Sequence, residues 1–212
     1  MPPARAVVFI DGNNWFHGLR KIGVDAYDLD YRKVARELLK GRSLVEIRFY
    51  IGKVTGDRDR IERQRSKVAL LEAQGVRVTW GRIQRNLIPP KRNPALMRLR
   101  TILAEEGPRV PSDIREQLQE LGNMPVPDYV EKKVDVAIAV DLVRMAYKDE
   151  YDVAYLLSAD ADYVTAVQET QRLGKAVFGV KAAGERSDEL GRVVRMIPVR
   201  REQFDQLLMD TD

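Results

Sequence analysis

Short apolar runs alternate with amphipathic stretches along the chain. The runs that predict β-strands lie at residues 6–10, 44–51, 76–80, 153–157 and 176–180, with a further short one at 193–197. Stretches with helical spacing of apolar residues lie at 13–20, 31–40, 57–74, 132–147, 161–173 and 201–208. Strands that alternate with helices predict a parallel sheet with helices on both faces.

Residues 81–130 interrupt this alternation. The segment is rich in proline and arginine, and we predict only short helices in it, near 94–106 and 112–121. We therefore expect a single domain over residues 1–212, with an insertion or lid at about 81–130.

Composition narrows the class of protein. The chain has 212 residues, of which 44% are hydrophobic and 32% charged, as in globular domains. It has no cysteine, which excludes disulfides, thiolate nucleophiles and cysteine zinc sites and fits a cytoplasmic protein. No apolar stretch is long enough for a transmembrane helix. The apolar run near the N-terminus is predicted to be the first strand rather than a signal peptide.

Aspartates follow two of the predicted strands. Asp11 comes directly after the first strand, and Asp160 and Asp162 follow the strand at 153–157. Because parallel strands end at the same edge of a sheet, we expect these carboxylates to lie together. Asp135, near the start of a long apolar helix, is a candidate fourth member. One aspartate at such a position needs no explanation beyond helix capping, but two in three positions exceed what a cap requires.

Carboxylates that lie close together repel one another unless a cation lies among them. Aspartate oxygens are ligands that favour Mg²⁺ or Mn²⁺. This points to metal-assisted phosphodiester hydrolysis. The motifs GxGxxG, GxxxxGK[ST] and GxSxG are absent. A phosphatase with an aspartate nucleophile remains an alternative, although its usual second aspartate is replaced here by Asn13, which cannot transfer a proton.

Positive charge is concentrated in the proline-rich segment. The net charge is +4, which permits a polyanionic partner without requiring one. Residues 81–104 contain no acidic residue and six basic ones, namely Arg82, Arg85, Lys91, Arg92, Arg98 and Arg100. These residues form either a solvated face or a surface that contacts nucleic-acid phosphates.

Three stretches resemble the NYN domain, in its LabA-like members of the PIN-like nuclease superfamily. They are FIDGNN at 9–14, KKVDVAIAVDLVRMAY at 132–147 and YDVAYLLSADADYVTAVQETQRLGKAVFGV at 151–180. The resemblance implies a PIN-like, Rossmann-like fold, a three-layer α/β/α sandwich with a mainly parallel central sheet. It also implies a Mg²⁺- or Mn²⁺-dependent ribonuclease that acts on single-stranded or structured RNA.

The resemblance also assigns roles to individual residues. It implies that the catalytic and metal-binding acids are Asp11, Asp135, Asp160 and Asp162. Asn14 matches the family's polar residue after the first strand, and Ser158 matches its small hydroxyl residue at a strand end. Ala159 and Ala161 stand where the family often has glycine and serine, so one hydroxyl near the metal is lost.

Other polar residues beside these acids are candidates for binding substrate. Asn13 and Asn14 are expected to hold Asp11 or a phosphate, although turn formation explains them almost as well. Lys133 is expected to meet a phosphate or to balance the acidic cluster. Among the aromatic residues, Trp15 and Tyr163 are candidates for stacking on bases or for core packing, whereas Trp80 is expected in the core.

A second functional class stays open, a non-catalytic RNA-binding or regulatory protein with the same fold. Clustered carboxylates that face a polyanion favour the nuclease. Exposed apolar residues within 81–130 are compatible with a homodimer contact as well as with a lid.

Overall fold

The computed structural model describes residues 2–54, 58–106, 109, 111–124 and 126–209, with the backbone alone at 82–88, 90, 106 and 126–132. Contacts divide the chain into two compact units, one of Met1–Arg82 with Lys132–Asp212 and one of Ile83–Glu131.

The described strands form one sheet in the order β4-β3-β2-β1-β5-β6-β7. The strands are β1 (Arg5–Asp11), β2 (Ser43–Lys53), β3 (Arg77–Ile88), β4 (Val126–Lys132), β5 (Val153–Leu157), β6 (Ala176–Ala182) and β7 (Arg195–Val199). From β3 to β7 every neighbouring pair is parallel. The mainly parallel central sheet predicted from the sequence is therefore confirmed.

Helices cover both faces of this sheet. The described α-helices are α1 (Gly12–Lys21), α2 (Tyr31–Leu39), α3 (Arg58–Ala73), α4 (Pro94–Glu106), α5 (Ser112–Asn123), α6 (Val134–Tyr147), α7 (Val164–Arg172), α8 (Leu190–Val193) and α9 (Arg201–Phe204). Single 3-10 turns lie at Pro90–Arg92 and Ala161–Tyr163.

The central strand shows why three layers form. Successive side chains of a strand point to opposite faces. In β1, Ala6, Val8 and Ile10 belong to the core beneath α1 and α2. Val7 and Phe9 belong to the core beneath α6 and α7. A strand buried on both faces is continuously apolar, and this one therefore carries the α/β/α sandwich.

Most predicted elements are present, and the differences are at the edges. The strand at 76–80 continues to Ile88, and β4 is a strand that the sequence analysis missed. The last helix was predicted to reach residue 208 but ends at Phe204. The predicted helix start at residue 57 lies outside the described residues.

The second unit contains the helices α4 and α5, which pack on each other. Their predicted positions in the segment 81–130 are confirmed. None of the helices described for the chain is long and apolar enough to span a membrane.

Candidate active site

Asp11 occupies the end of the central strand, where β1 passes directly into α1. It is only 3% exposed. Its Oδ1 accepts a hydrogen bond from the backbone N–H of Asn14 at 3.1 Å, so Asp11 is also the N-cap of α1. The chain can turn this closely because Gly12 follows. A Cβ at that position would lie 2.6 Å from the carbonyl oxygen of Tyr50.

The second oxygen of Asp11 receives two hydroxyl groups. The Tyr163 hydroxyl donates to Oδ2 at 2.9 Å, and the Ser158 hydroxyl lies 3.3 Å from the same oxygen. Burial raises the pKa of the Asp11 carboxyl, and the negative charge of Asp135 raises it further, while these hydrogen bonds oppose the shift. The structure therefore holds Asp11 where its negative charge is poorly solvated.

Asp135 reaches the same hydroxyl from the other side. It lies in the first turn of α6, and its Oδ1 is 3.1 Å from the Tyr163 hydroxyl. The ring of Tyr163 is fully buried, so only its hydroxyl faces the acids. Two carboxylates, Asp11 from the end of β1 and Asp135 from the start of α6, thus meet at one phenolic oxygen.

The end of β5 brings Asp160 to the same edge. Ile10 of β1 is paired with Leu157 of β5, so the residues that follow both strands are neighbours. The side-chain oxygen of Asn14 accepts from the backbone N–H of Ala159 at 3.0 Å, which joins α1 to this turn. The backbone N–H of Asp160 donates to the Ser158 hydroxyl at 3.1 Å.

Asp160 is also a cap, as the simpler interpretation of its position requires. Its Oδ1 accepts from the backbone N–H of Asp162 at 3.0 Å and starts the 3-10 turn. Asp162 is exposed and lines a groove between α6 and α7. In the described part of the chain, no three acidic or histidine side chains are arranged to hold a metal ion. The structure thus brings Asp11 and Asp135 together and leaves Asp160 and Asp162 at the rim.

The acids of the site differ from Asp141 in their partners. Within the described residues, no lysine or arginine forms an ion pair with Asp11, Asp135, Asp160 or Asp162. By contrast, Asp141 of α6 accepts from Arg48, from Arg144 and from the Tyr50 hydroxyl, and so belongs to a structural network. This contrast separates the acids that the fold neutralises from those that it does not.

This donor set fits a hard divalent cation. Mg²⁺ is commonly bound by one or two protein carboxylates and completes its shell with waters and substrate phosphates. Two unpaired carboxylates at one hydroxyl meet that requirement, although they do not form a closed all-protein cage. Asp11 and Asp135 are therefore the residues best placed to hold such an ion.

The candidate substrate-binding residues have different environments. Asn13 and Lys133 are exposed, and Lys133 has a left-handed backbone with φ 76° just before α6. Of the basic residues in the second unit, Lys91, Arg92, Arg98 and Arg100 are exposed. The side chains of Arg82 and Arg85 lie outside the described part of the structure.

Of the three aromatic candidates, Trp80 is the one whose predicted environment is wrong. Trp15 and Tyr163 are buried and cannot stack on bases, and Trp80, expected in the core, is 41% exposed. The hydroxyl role of Tyr163 was missed. The available signal was its place in a short turn immediately after Asp160 and Asp162.

Comparisons with known proteins agree with this fold. A family model described as "NYN domain" matches residues 76–199, a range that contains Asp135, Asp160 and Tyr163 and begins after Asp11. A search of curated proteins gave no significant match. The crystal structure of a protein of unknown function from Vibrio parahaemolyticus is similar, with a TM-score of 0.58 and 17% identity. That match covers 98% of this chain and 97% of the other, and shows a shared fold.

Proposed function

Because the chain belongs to the NYN domain family, within the PIN-like nuclease superfamily, we propose that it is a metal-dependent ribonuclease that hydrolyses RNA phosphodiester bonds. The observation that carries this proposal is the meeting of Asp11 and Asp135 at the Tyr163 hydroxyl, where no cationic side chain among the described residues neutralises them. A structural pair would be expected to have such a partner, as Asp141 does.

The ion would be Mg²⁺ or Mn²⁺, held by Asp11 and Asp135. Asp160 and Asp162 would complete the site, directly or through water. When bound, such an ion polarises a phosphoryl oxygen and makes a bound water a better nucleophile at neutral pH.

The surrounding residues position these acids. Tyr163 and Ser158 fix one oxygen of Asp11, and the Asn14 backbone fixes the other. The Asn14 side chain holds the turn after β5, so the acids that follow both strands keep a constant separation. Preorganised ligands of this kind lower the cost of arranging a metal site.

The exposed basic residues are suited to bind the phosphates of an RNA backbone. Lys91, Arg92, Arg98 and Arg100 are exposed, and among the described residues none of them has an acidic partner. We assign them, with Arg82, Arg85 and Lys133, to contacts with phosphates. On this proposal residues 81–130 are an RNA-binding insertion in a single NYN domain, and Asn13 contacts the substrate beside Asp11.

The test is cleavage of end-labelled single-stranded RNA with and without Mn²⁺ or Mg²⁺. We compare the wild-type protein with Asp135→Asn and Asp160→Asn, and with Asp188→Asn as a matched control. Asp188 is an exposed aspartate outside the site. We expect metal-dependent cleavage that falls at least about 100-fold in both site variants and persists in the control.

Other outcomes would contradict the proposal in different ways. Cleavage that survives in Asp135→Asn would place the active site elsewhere. RNA binding without cleavage under any metal would support the non-catalytic RNA-binding alternative. Hydrolysis of p-nitrophenyl phosphate, with RNA left intact, would support the phosphatase.

A further inference from the structure

A second concave site lies on the face of the sheet that α2 covers, away from Asp11. It is a cavity of about 270 Å³ between the end of α2 and the strands β5, β6 and β7. Its walls include Tyr155 of β5, Phe178 of β6 and Arg195 of β7. Small-molecule pockets have volumes of roughly 300–1,000 Å³, and this cavity, just below that range, has room for one small ligand or a single nucleotide unit.

The inner wall of the cavity is aromatic and carries a fixed cation. The rings of Tyr155 and Phe178 are stacked, with centroids 5.5 Å apart. Arg42 donates from Nη1 to the Tyr155 hydroxyl at 2.9 Å and to the Leu39 carbonyl at 3.2 Å. Its guanidinium carbon lies 5.8 Å from the centre of the Phe178 ring. Arg42 is thus held over an aromatic surface by neutral partners.

Two more cations complete the mouth. Lys40 and Arg195 line the cavity and are exposed. Among the described residues, Lys40, Arg42 and Arg195 form no ion pair with any acid, and Glu37 is the single carboxylate that lines the cavity. Three positive charges against one negative charge favour an anionic ligand.

The backbone at Lys40 also needs explanation. Lys40 has a left-handed conformation with φ 47°, and Gly41, which follows, is left-handed as well with φ 92°. A side chain with a Cβ is less stable than glycine in this conformation by about 1 kcal/mol. Lys40 is the C-cap of α2, where a left-handed residue ends the helix, and this position places its charge beside the cavity.

We propose that this cavity binds a nucleoside monophosphate, either as a free nucleotide or as the terminal nucleotide of an RNA. Tyr155 is only 2% exposed, so the surfaces left for a base are the half-buried Phe178 ring and the Arg42 guanidinium, on both of which bases can stack. Lysine and arginine bind phosphate with charge-assisted hydrogen bonds. Glu37 supplies acceptors for ribose hydroxyls. The proposal does not depend on the proposed ribonuclease reaction, because none of its residues belongs to the acidic site.

The test is isothermal titration calorimetry of the full chain in EDTA, which keeps any divalent metal out and any RNA probe intact. The probes are AMP, adenosine and inorganic phosphate. We expect AMP to bind at least about tenfold more tightly than either of its parts. Lys40→Gln and Arg195→Gln should each weaken AMP binding about tenfold or more. Arg192→Gln, an exposed arginine that does not line the cavity, should not change it.

Two further probes distinguish the sources of the nucleotide. If a 5′-phosphorylated oligoribonucleotide binds at least as tightly as AMP, and Arg195→Gln weakens that binding, the ligand of the cavity is the end of an RNA. Weaker binding of the oligonucleotide than of AMP would identify a free nucleotide. The proposal is overturned if AMP does not bind at millimolar concentration, if phosphate alone binds as tightly, or if Arg192→Gln causes the same loss. AMP binding that persists in Asp135→Asn would show independence from the acidic site.

Discussion

Tyr163 shows how far residue-level prediction reaches. Asp11 and Asp160 could be predicted because a carboxylate after a buried strand stands out in the sequence. Tyr163 could not, because a tyrosine near a helix start is equally compatible with core packing and with base stacking. Only the fold shows that its ring is buried while its hydroxyl meets Asp11 and Asp135. Its role depends on packing partners from distant parts of the chain.

Removing this hydroxyl tests its positioning role. In Tyr163→Phe we expect the affinity for Mn²⁺ to fall about 10–100-fold, because outer residues that orient metal ligands have effects of this size. The measurement is calorimetric titration of metal, with RNA cleavage as a second readout.

Tyr151→Phe is the matched control. Tyr151 is also fully buried, and its hydroxyl donates to the Leu142 carbonyl at 2.7 Å rather than to one of the acids. This variant should lose about 1 kcal/mol of stability and keep its metal affinity. Equal metal affinity in wild type and Tyr163→Phe would rule out the positioning role.

At the scale of elements, the strands and helices of the central sheet were predictable because each has a clear apolar period. The extension of β3 to Ile88 was not, because Arg82 and Arg85 within it suggested a basic insertion. The sequence of β4, VPDYVEK, contains Pro127 and several charged residues, which are uncommon in strands, so no strand was predicted there. Such strands are determined by pairing with neighbours, which local propensity does not report.

The two central strands are also tied together where they begin. Asp152, just before β5, accepts from the Arg5 backbone N–H at 2.7 Å and from its guanidinium at 2.8 Å. The side-chain hydrogen bond from Arg5, followed by the backbone bond, lowers the pKa of Asp152 to about 2. Because the folded pKa is below the unfolded value, the stabilisation is present at neutral pH and is lost as the pH falls from about 4 towards 2.

Asp152→Asn should therefore lower the free energy of unfolding at pH 7 by about 0.5–1 kcal/mol, a small effect because the pair is partly exposed. The difference from wild type should shrink as the pH falls below about 4. Urea unfolding across this pH range measures it, with Asp188→Asn as the control. A difference that stays constant with pH would show that the charge of Asp152 does not contribute.

For the whole molecule, the acidic site is a local cost to folding. Asp11 is buried with its charge, and Asp135 adds repulsion. Residues at functional sites are often less than optimal for stability. Stabilising substitutions commonly raise the free energy of unfolding by about 0.5–2 kcal/mol. A bound divalent cation would offset the same cost.

We therefore expect Asp11→Asn to be about 1 kcal/mol more stable than wild type in EDTA at pH 7. Mn²⁺ at about 100 times its dissociation constant should stabilise wild type by about 2.7 kcal/mol and leave Asp11→Asn unchanged. Thermal unfolding with and without metal measures both effects. The same metal-induced shift in both proteins would mean that Asp11 is not a ligand.

The shared Tyr163 hydroxyl has a consequence in proton counting. A phenol has one hydrogen, yet this oxygen lies 2.9 Å from Asp11 and 3.1 Å from Asp135. With both carboxylates ionised, one of these contacts joins two oxygens with no hydrogen between them. Because burial raises the pKa of Asp11, this carboxyl takes up a proton as the pH falls, and that proton fills the place. On the proposed function, a metal ion at this site competes with that proton, and its affinity is expected to weaken in acid.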